Sequence, residues 1–337
     1  MPRRFSQSSR SRRLASVGRP GRALVAVAAV ATIALAGCGG SGSSASGKDA
    51  TVTVDSPPNT SSAAAAYAAS AGLFTKAGVD VTMHQHEGSQ STIVGLLSGS
   101  YPIVWATVPD ILAAQAKGVG IQIVALGDEG APGQIEVLSR GDSGITKPAD
   151  LVGKKVAVPS PTSACVLAIP SILKQAGVDP AKVSLVTVPQ VDHESTLKNK
   201  VADATCTPEP FQTELKNQLH PHAVMDIFSG SYKGMLIGAF VTTTKYAAAH
   251  PDVIAGFRSG LEQADAKANA DPQVIRTLMP TYSGVDADIA KVIALPTYVK
   301  DVTATAPLEA VGDLMTKTGL LKTTPDLSTS FAPAAGS

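Results

Sequence analysis

The sequence predicts an α/β protein with mostly parallel sheets, divided between two domains. Short β-rich runs alternate with longer helical ones, about 285 residues follow a Gly/Ser tract and exceed one ordinary core, and the chain beyond residue 250 is patterned as helices alone. The β-rich runs fall at 51–54, 79–83, 102–105, 121–126, 135–139, 155–158, 183–188, 202–206, 223–226 and 236–242. Helical runs at 62–76, 91–98, 108–116, 164–176, 194–199 and 211–218 separate them, and a strand-helix-strand rhythm of this kind builds parallel sheets. The later helices, 251–269, 272–278, 286–295 and 307–318, have no strand of their own and are expected to pack back on the first domain.

The N-terminus reads as an export signal. Residues 1–22 hold seven arginines and no acid, and an apolar or small-residue run from Ala23 to Ala36 follows. That run is too short to span a bilayer, which takes roughly 20 residues. It ends in Leu35-Ala36-Gly37-Cys38, which resembles the bacterial lipobox. The resemblance implies cleavage before Cys38 and lipid on its sulfur. Arg12-Arg13 after Ser11 leaves the export route open between the general and twin-arginine pathways. Residues 38–49, the cysteine followed by GGSGSSASGKD, read as a flexible tether.

The whole chain carries +1 and residues 1–37 carry +7, so the remainder is −6. Only Arg140, Arg258 and Arg276 remain as arginines and the lysines are scattered, which argues against a nucleic-acid surface. Cys165 and Cys206 remain beyond Cys38; an exported protein allows a disulfide between them, and two separate buried thiols are the alternative.

Six segments in order carry a family resemblance: SAGLFTKAGVDV (70–81), GSQSTIVGLLSGSYPIV (88–104), RGDSGITKPADLVGKKVAVP (140–159), QAGVDPAKVSLVTVP (175–189), VADATCTPEPF (201–211) and VGDLMTKTGLL (311–321). Together they resemble the nitrate/sulfonate/taurine and thiamine-precursor group of ABC-transporter substrate-binding proteins. The resemblance implies a type II periplasmic-binding-protein fold, with two α/β lobes closing on a small molecule and a helical C-terminal extension packed on lobe one. On this chain lobe one is 50–139 plus 240–337 and lobe two is 140–239, with crossovers expected near 140–143 and 230–238, where glycines ease hinge motion. It further implies a monomeric receptor, lipid-anchored on the outer face of the cytoplasmic membrane, that hands its solute to an ABC permease and its ATPase subunits.

Ligands in such sheets sit beyond the carboxyl ends of strands, where helix N-termini point. Four segments qualify. DSPPNTSS (55–62) keeps Asp55, Pro58, Asn59 and Thr60 of an Asp-Trp-x-Pro-Asn-Thr-Asn-His pattern in thiamine-precursor relatives. Ser56 replaces its Trp and Ser62 its His, which removes a stacking surface for a pyrimidine. The second is Ser89-Gln90-Ser91, before the apolar face of Ile93, Val94, Leu96 and Leu97. The third is Ala106-Thr107 after Trp105, the only tryptophan. The fourth joins Ser160, Thr162 and Ser163 with Glu209 and Phe211 from the Thr207–Phe211 turn. Each helix start is either a cap or a ligand seat. Glu209 either meets an amine on the solute or is held by backbone N–H groups in its turn.

Enzymatic chemistry finds little support. His84 and His86 alternate on one strand face, as a metal pair or a solvated edge, and no motif supplies a third ligand. Cys165 with His193 is a candidate thiol pair, but the cysteine lies in an apolar helical run. No phosphate loop or Gly-x-Gly-x-x-Gly follows a strand. Neither a cofactor nor a metal is expected. The favoured reading is a receptor for a sulfonate-, nitrate- or taurine-like solute; the alternatives are a pyrimidine-binding protein, or an enzyme or sensor on the same fold.

Overall fold

The computed structural model describes residues 50–86, 92–323 and 325–335. Cys38, the signal, the tether and the seat Ser89-Gln90-Ser91 lie outside the described residues. The chain opens with β1 (Ala50–Ser56), a 3-10 turn over Thr60–Ser62, α1 (Ala63–Ser70), α2 (Leu73–Lys76), β2 (Val79–Gln85), α3 (Thr92–Leu97), β3 (Ile103–Thr107), α4 (Val108–Ala116) and β4 (Ile121–Glu129). Then come β5 (Ile135–Ser139), β6 (Lys155–Val158), α5 (Ala164–Gln175), β7 (Ser184–Thr187), α6 (His193–Lys198), β8 (Ala204–Pro208), α7 (Phe211–Leu219) and β9 (His222–Asp226). It closes with β10 (Leu236–Thr243), α8 (Thr244–Ala249), α9 (Pro251–Ala270), α10 (Gln273–Ser283), α11 (Ala287–Val292), β11 (Thr297–Tyr298) and α12 (Thr305–Lys317).

These strands form two sheets, ordered β11-β4-β10-β3-β1-β2 and β7-β6-β8-β5-β9. In the first, β1 runs parallel to β2 and β3, while β10 is antiparallel to both β3 and β4. The carboxyl ends of β1 to β4 therefore share one edge. In the second, β6 is parallel to β7 and β8, and β5 is antiparallel to β8 and β9, so the carboxyl ends of β6 to β9 share an edge too.

The chain leaves the first sheet through residues 130–134 and returns through 227–235, and these two segments are bonded to each other. Gly130 N–H donates to the Met235 carbonyl (2.8 Å) and Gly234 N–H to the Gly130 carbonyl (2.9 Å). The boundary expected at 139/140 is thus one strand late. The run 135–139 belongs to the second sheet, because β5 bonds to β8 and β9. The tail is not wholly helical either, since β11 adds a two-residue strand beside β4. The single helix expected at 62–76 is broken at Gly72, whose φ of +67° ends α1 and starts α2.

Helices cover both faces of the first sheet. On one face α9 presents Ile254, Phe257, Leu261 and Ala264, with Phe257 stacked on Phe74 at 4.8 Å between centroids. On the other, α4 and α12 bury Ile111, Leu112, Leu308 and Met315. The apolar parts of these seams supply most of the folding free energy, at about 25 cal/mol per Å² buried. Among the described residues no helix is long and apolar enough to cross a membrane.

Gly238, expected in a crossover, lies inside the β10 ladder, paired with Thr107 and Asp128. The Trp105 ring packs directly on it, and a Cβ at this position would fall 2.1 Å from Cζ2. Gly238→Ala is therefore expected to cost about 1–3 kcal/mol through overpacking. A urea midpoint equal to that of the parent protein would show that the indole can retreat.

Candidate functional site

The strand ends decide which helix starts act as caps. In the first segment Asn59 Oδ1 accepts from Ser61 N–H (3.1 Å), so Asn59 caps the turn that opens α1. The Thr60 carbonyl accepts from the Tyr298 hydroxyl (2.8 Å), and both residues are buried. Tyr282 Oη lies 2.9 Å from Ser56 Oγ and 2.8 Å from Ser62 Oγ, tying the loop to α10. Asn59 and Thr60, expected to face a ligand, hold their own loop together, because a buried turn must satisfy its backbone groups internally. Pro58 beside them is half-buried.

At the third segment Ala106 is in the β3–β10 ladder opposite Ala239, and its methyl packs in the core. It is a sheet residue next to the strand end. Thr107 caps α4: its Oγ1 accepts from Asp110 N–H (3.3 Å) and donates to Asp110 Oδ2 (2.7 Å).

The fourth segment differs. Ser163 Oγ donates to the Ser160 carbonyl (3.0 Å) and makes no bond to the start of α5, which has no side-chain cap. Ser160 Oγ and Thr162 Oγ1 are 3.4 Å apart. Thr162 Oγ1 donates to Asp110 Oδ1. One carboxylate therefore joins two seats, Thr107 from the first sheet and Thr162 from the second.

Cys165, in the first turn of α5, is disulfide-bonded to Cys206 on β8, with 6.2 Å between Cα atoms. The cross-link fixes the α5 start against the strand that leads to Glu209. A bonded cysteine is no nucleophile. His193, its suggested partner, is bonded to Thr207 Oγ1 (3.0 Å) and the Val188 carbonyl (3.1 Å), and burial pulls its pKa down to about 4.

Glu209 is buried and bonded on all sides. Thr213 donates through N–H to Oε2 (3.1 Å) and through Oγ1 to Oε1 (2.7 Å), and Ala294 N–H reaches Oε1 at 3.4 Å. Burial still pushes the carboxyl up to about 7. Of the two roles open for Glu209, these bonds describe the held carboxylate. Phe211 is half-buried at the start of α7.

The sequence reading missed the acidic character of the first sheet's edge. Asp55 is buried at the end of β1 opposite His84, whose Nδ1–H donates to Oδ1 (2.8 Å) while Nε2 accepts from Tyr101 (3.2 Å). His86 Nδ1 lies 3.4 Å from Oδ2. Burial alone would raise the Asp55 carboxyl; the two histidines outweigh it and hold the group below its usual range. His84 is nearly half exposed on β2, the outer strand of the first sheet, so the pair stands at a solvated edge while bonded to Asp55, and among the described residues no three potential metal ligands come together. An Asp at the penultimate residue of a strand, register-paired with His, was the available signal.

Asp128, next to the end of β4, is fully buried. Burial pushes its carboxyl up to about 8 against the opposing pull of nearby Ser61 and Gln134. Asp265 faces it from α9, also buried, and burial followed by the Asp128 charge raises it well above the usual range. No hydrogen bond of normal geometry reaches either carboxyl.

The two cavities that stand out lie elsewhere. One, of about 320 Å³, is lined by Tyr232, Met235 and Leu314. The other, of about 380 Å³, is lined by Asn269, Arg276 and Tyr298.

Two α/β sheets with opposed carboxyl-end edges, joined by two crossovers and linked through Asp110, define a periplasmic-binding-protein fold. Residues 59–275 match the family model described as NMT1/THI5 like, and the chain belongs to that family. Solved structures share the fold. The alkanesulfonate-binding protein of Xanthomonas axonopodis pv. citri bound to MOPS is 17% identical, with 84% of this chain and 97% of that one covered and a TM-score of 0.68. The periplasmic nitrate-binding protein of Synechocystis PCC 6803 is 16% identical, with 72% and 69% covered and a TM-score of 0.62. A desulfurization enzyme is 16% identical, with 84% and 96% covered and a TM-score of 0.64. A search of curated proteins finds no match.

Proposed function

We propose that this protein is the extracytoplasmic receptor of an ABC importer, anchored through lipid on Cys38, that captures a small polar solute and delivers it unchanged to a permease. One observation carries the reading: Asp110 on α4 bonds Thr107 beside it and Thr162 ahead of α5, so a single contact spans the gap between the two sheets' edges. A solute between these edges would meet the uncapped start of α5, whose dipole contributes about 0.3–1 kcal/mol toward an acceptor group. Lobe one is then 50–129 with 236–337, lobe two is 135–226, and the bonded crossovers act as the hinge.

Closure is a population shift, so breaking a contact made only in the closed state lowers apparent affinity without touching the solute. Thr162→Val removes a hydrogen bond to a carboxylate, about 1.5 kcal/mol, and is expected to weaken binding about tenfold. The test is a thermal-shift screen of the full-length protein against sulfonates, nitrate, taurine, aminopyrimidines and nucleobases, with mass spectrometry of the bound compound. Saturation at 100 times Kd gives about 2.7 kcal/mol of stabilisation. A compound recovered intact supports the receptor, and one recovered altered points to an enzyme on this fold. An unchanged affinity in Thr162→Val removes Asp110 from closure.

A further inference from the structure

Among the described residues, three buried polar groups near the end of β4 have no partner of normal geometry: the carboxyls of Asp128 on that strand and of Asp265 on α9, and the Trp105 indole N–H on β3. Their exposures are 0%, 1% and 7%. Orphans this deep are rare in native proteins, and each calls for an ion, a water or a ligand. They are also neighbours. Trp105 in the middle of β3 packs on Gly238 and close to Gly127, and Gly238 is the β-partner of Asp128. A register shift between Gly238 and Ala239 leaves Gly127 as an extra residue there, which turns Asp128 toward α9 and Asp265.

Acidic groups dominate this edge, and the basic side chains there, His84 and His86, are taken up by Asp55. Asp55, Asp110, Asp128 and Glu129 all stand at the carboxyl-end edge of the first sheet. The three arginines of the folded body are engaged elsewhere. Arg140 pairs with Asp142, Arg258 donates to the Val124 and Ala332 carbonyls, and Arg276 donates to the Ile293 carbonyl. Arg276, on α10, keeps a buried Nε without a partner, and none of the three guanidinia pairs with a carboxyl of this edge.

We propose that Asp128, with Asp265 behind it, is a subsite for a cationic nitrogen of the solute, and that the Trp105 indole N–H donates to an acceptor on the same molecule. The inference rests on the receptor reading above and narrows it to solutes that carry an amine or amidine. Simple anions such as nitrate lack the group these carboxyls require. A buried carboxyl without a partner stays protonated, and an incoming ammonium takes the proton's place. Binding then releases a proton, and affinity rises with pH toward 8. The groups facing Asp128 are Glu129 on its own strand, Asp265 on α9, which Glu262 adjoins in turn, Tyr298 on β11, and neutral Ser61 and Gln134.

Trp105 is the only tryptophan, so its emission reports the subsite directly. The full-length protein is titrated with taurine, β-alanine and 4-aminopyrimidine, and with the nitrogen-free ethanesulfonate and propionate. At least one nitrogen-bearing probe is expected to shift the emission, to bind at least tenfold more tightly than its nitrogen-free counterpart, and to release a proton by calorimetry in two buffers. Asp128→Asn is expected to lose tenfold or more, with an unchanged circular dichroism spectrum confirming the fold; Asp265→Asn provides a second variant if it does not fold. Preferential binding of ethanesulfonate or propionate overturns this subsite and leaves the receptor standing. Full affinity in a folded Asp128→Asn or Asp265→Asn protein overturns it as well. Silence from every nitrogen-bearing probe overturns it, and silence from the nitrogen-free acids too counts against the receptor itself.

Discussion

Replacing both Cys165 and Cys206 by alanine is expected to lower the unfolding free energy by about 4 kcal/mol, from the loop-closure entropy of a cross-link spanning 41 residues. Both residues are almost fully buried, so the alanines also leave a small void where the sulfurs were. The effect reaches the site, because the cross-link holds the first turn of α5 against β8. The uncapped helix start and the Glu209 turn lie at the two ends of that connection. Chemical denaturation of the double variant checks the magnitude, and the same preparation should bind its solute more weakly. A loss below about 1 kcal/mol would mean that the denatured chain already keeps these segments together.

Stability is expected to be greatest on the acid side, near pH 5, and to fall by roughly 3–5 kcal/mol toward pH 8. The sign follows from three buried groups. Asp128, raised from 3.8 to about 8, and Glu209, raised from 4.5 to about 7, stabilise the fold while protonated, and that stability is lost as pH rises through their folded values. His193 acts in the opposite sense. Lowered from 6.5 to about 4, it stabilises the fold above 6.5 and loses that contribution as pH falls. Between about 5 and 6.5 the histidine offsets one acid; above 6.5 nothing does. Each unopposed proton is worth about 1.4 kcal/mol per pH unit. Asp265, also buried and raised well above its usual range, adds to the decline, so Asp128→Asn should remove part of it, which urea unfolding at pH 5, 6.5 and 8 would measure. A profile in the variant as steep as in the parent protein would place the titrating group elsewhere.

Local pattern alone determined much of this protein. The alternation of β-rich and helical runs set the α/β class, because side-chain periodicity reflects which face of each element is buried. Thr107 and Ser163 announced helix starts through short-range chemistry. What those starts do was decided at long range. Thr107 caps its helix, while Ser163 leaves α5 uncapped because its hydroxyl turns back to Ser160. The sheet that receives 135–139 depended on hydrogen bonds to β8 and β9, up to 90 residues away in the chain, which no local pattern encodes. Tyr282 reaches Ser56 across 226 residues, and Asp265 comes to face Asp128 only when α9 folds over the sheet. A carboxyl is ordinary in sequence. It becomes a neutral, partnerless group only when tertiary packing removes water from it, and that desolvation makes Asp128 the most informative residue of the site.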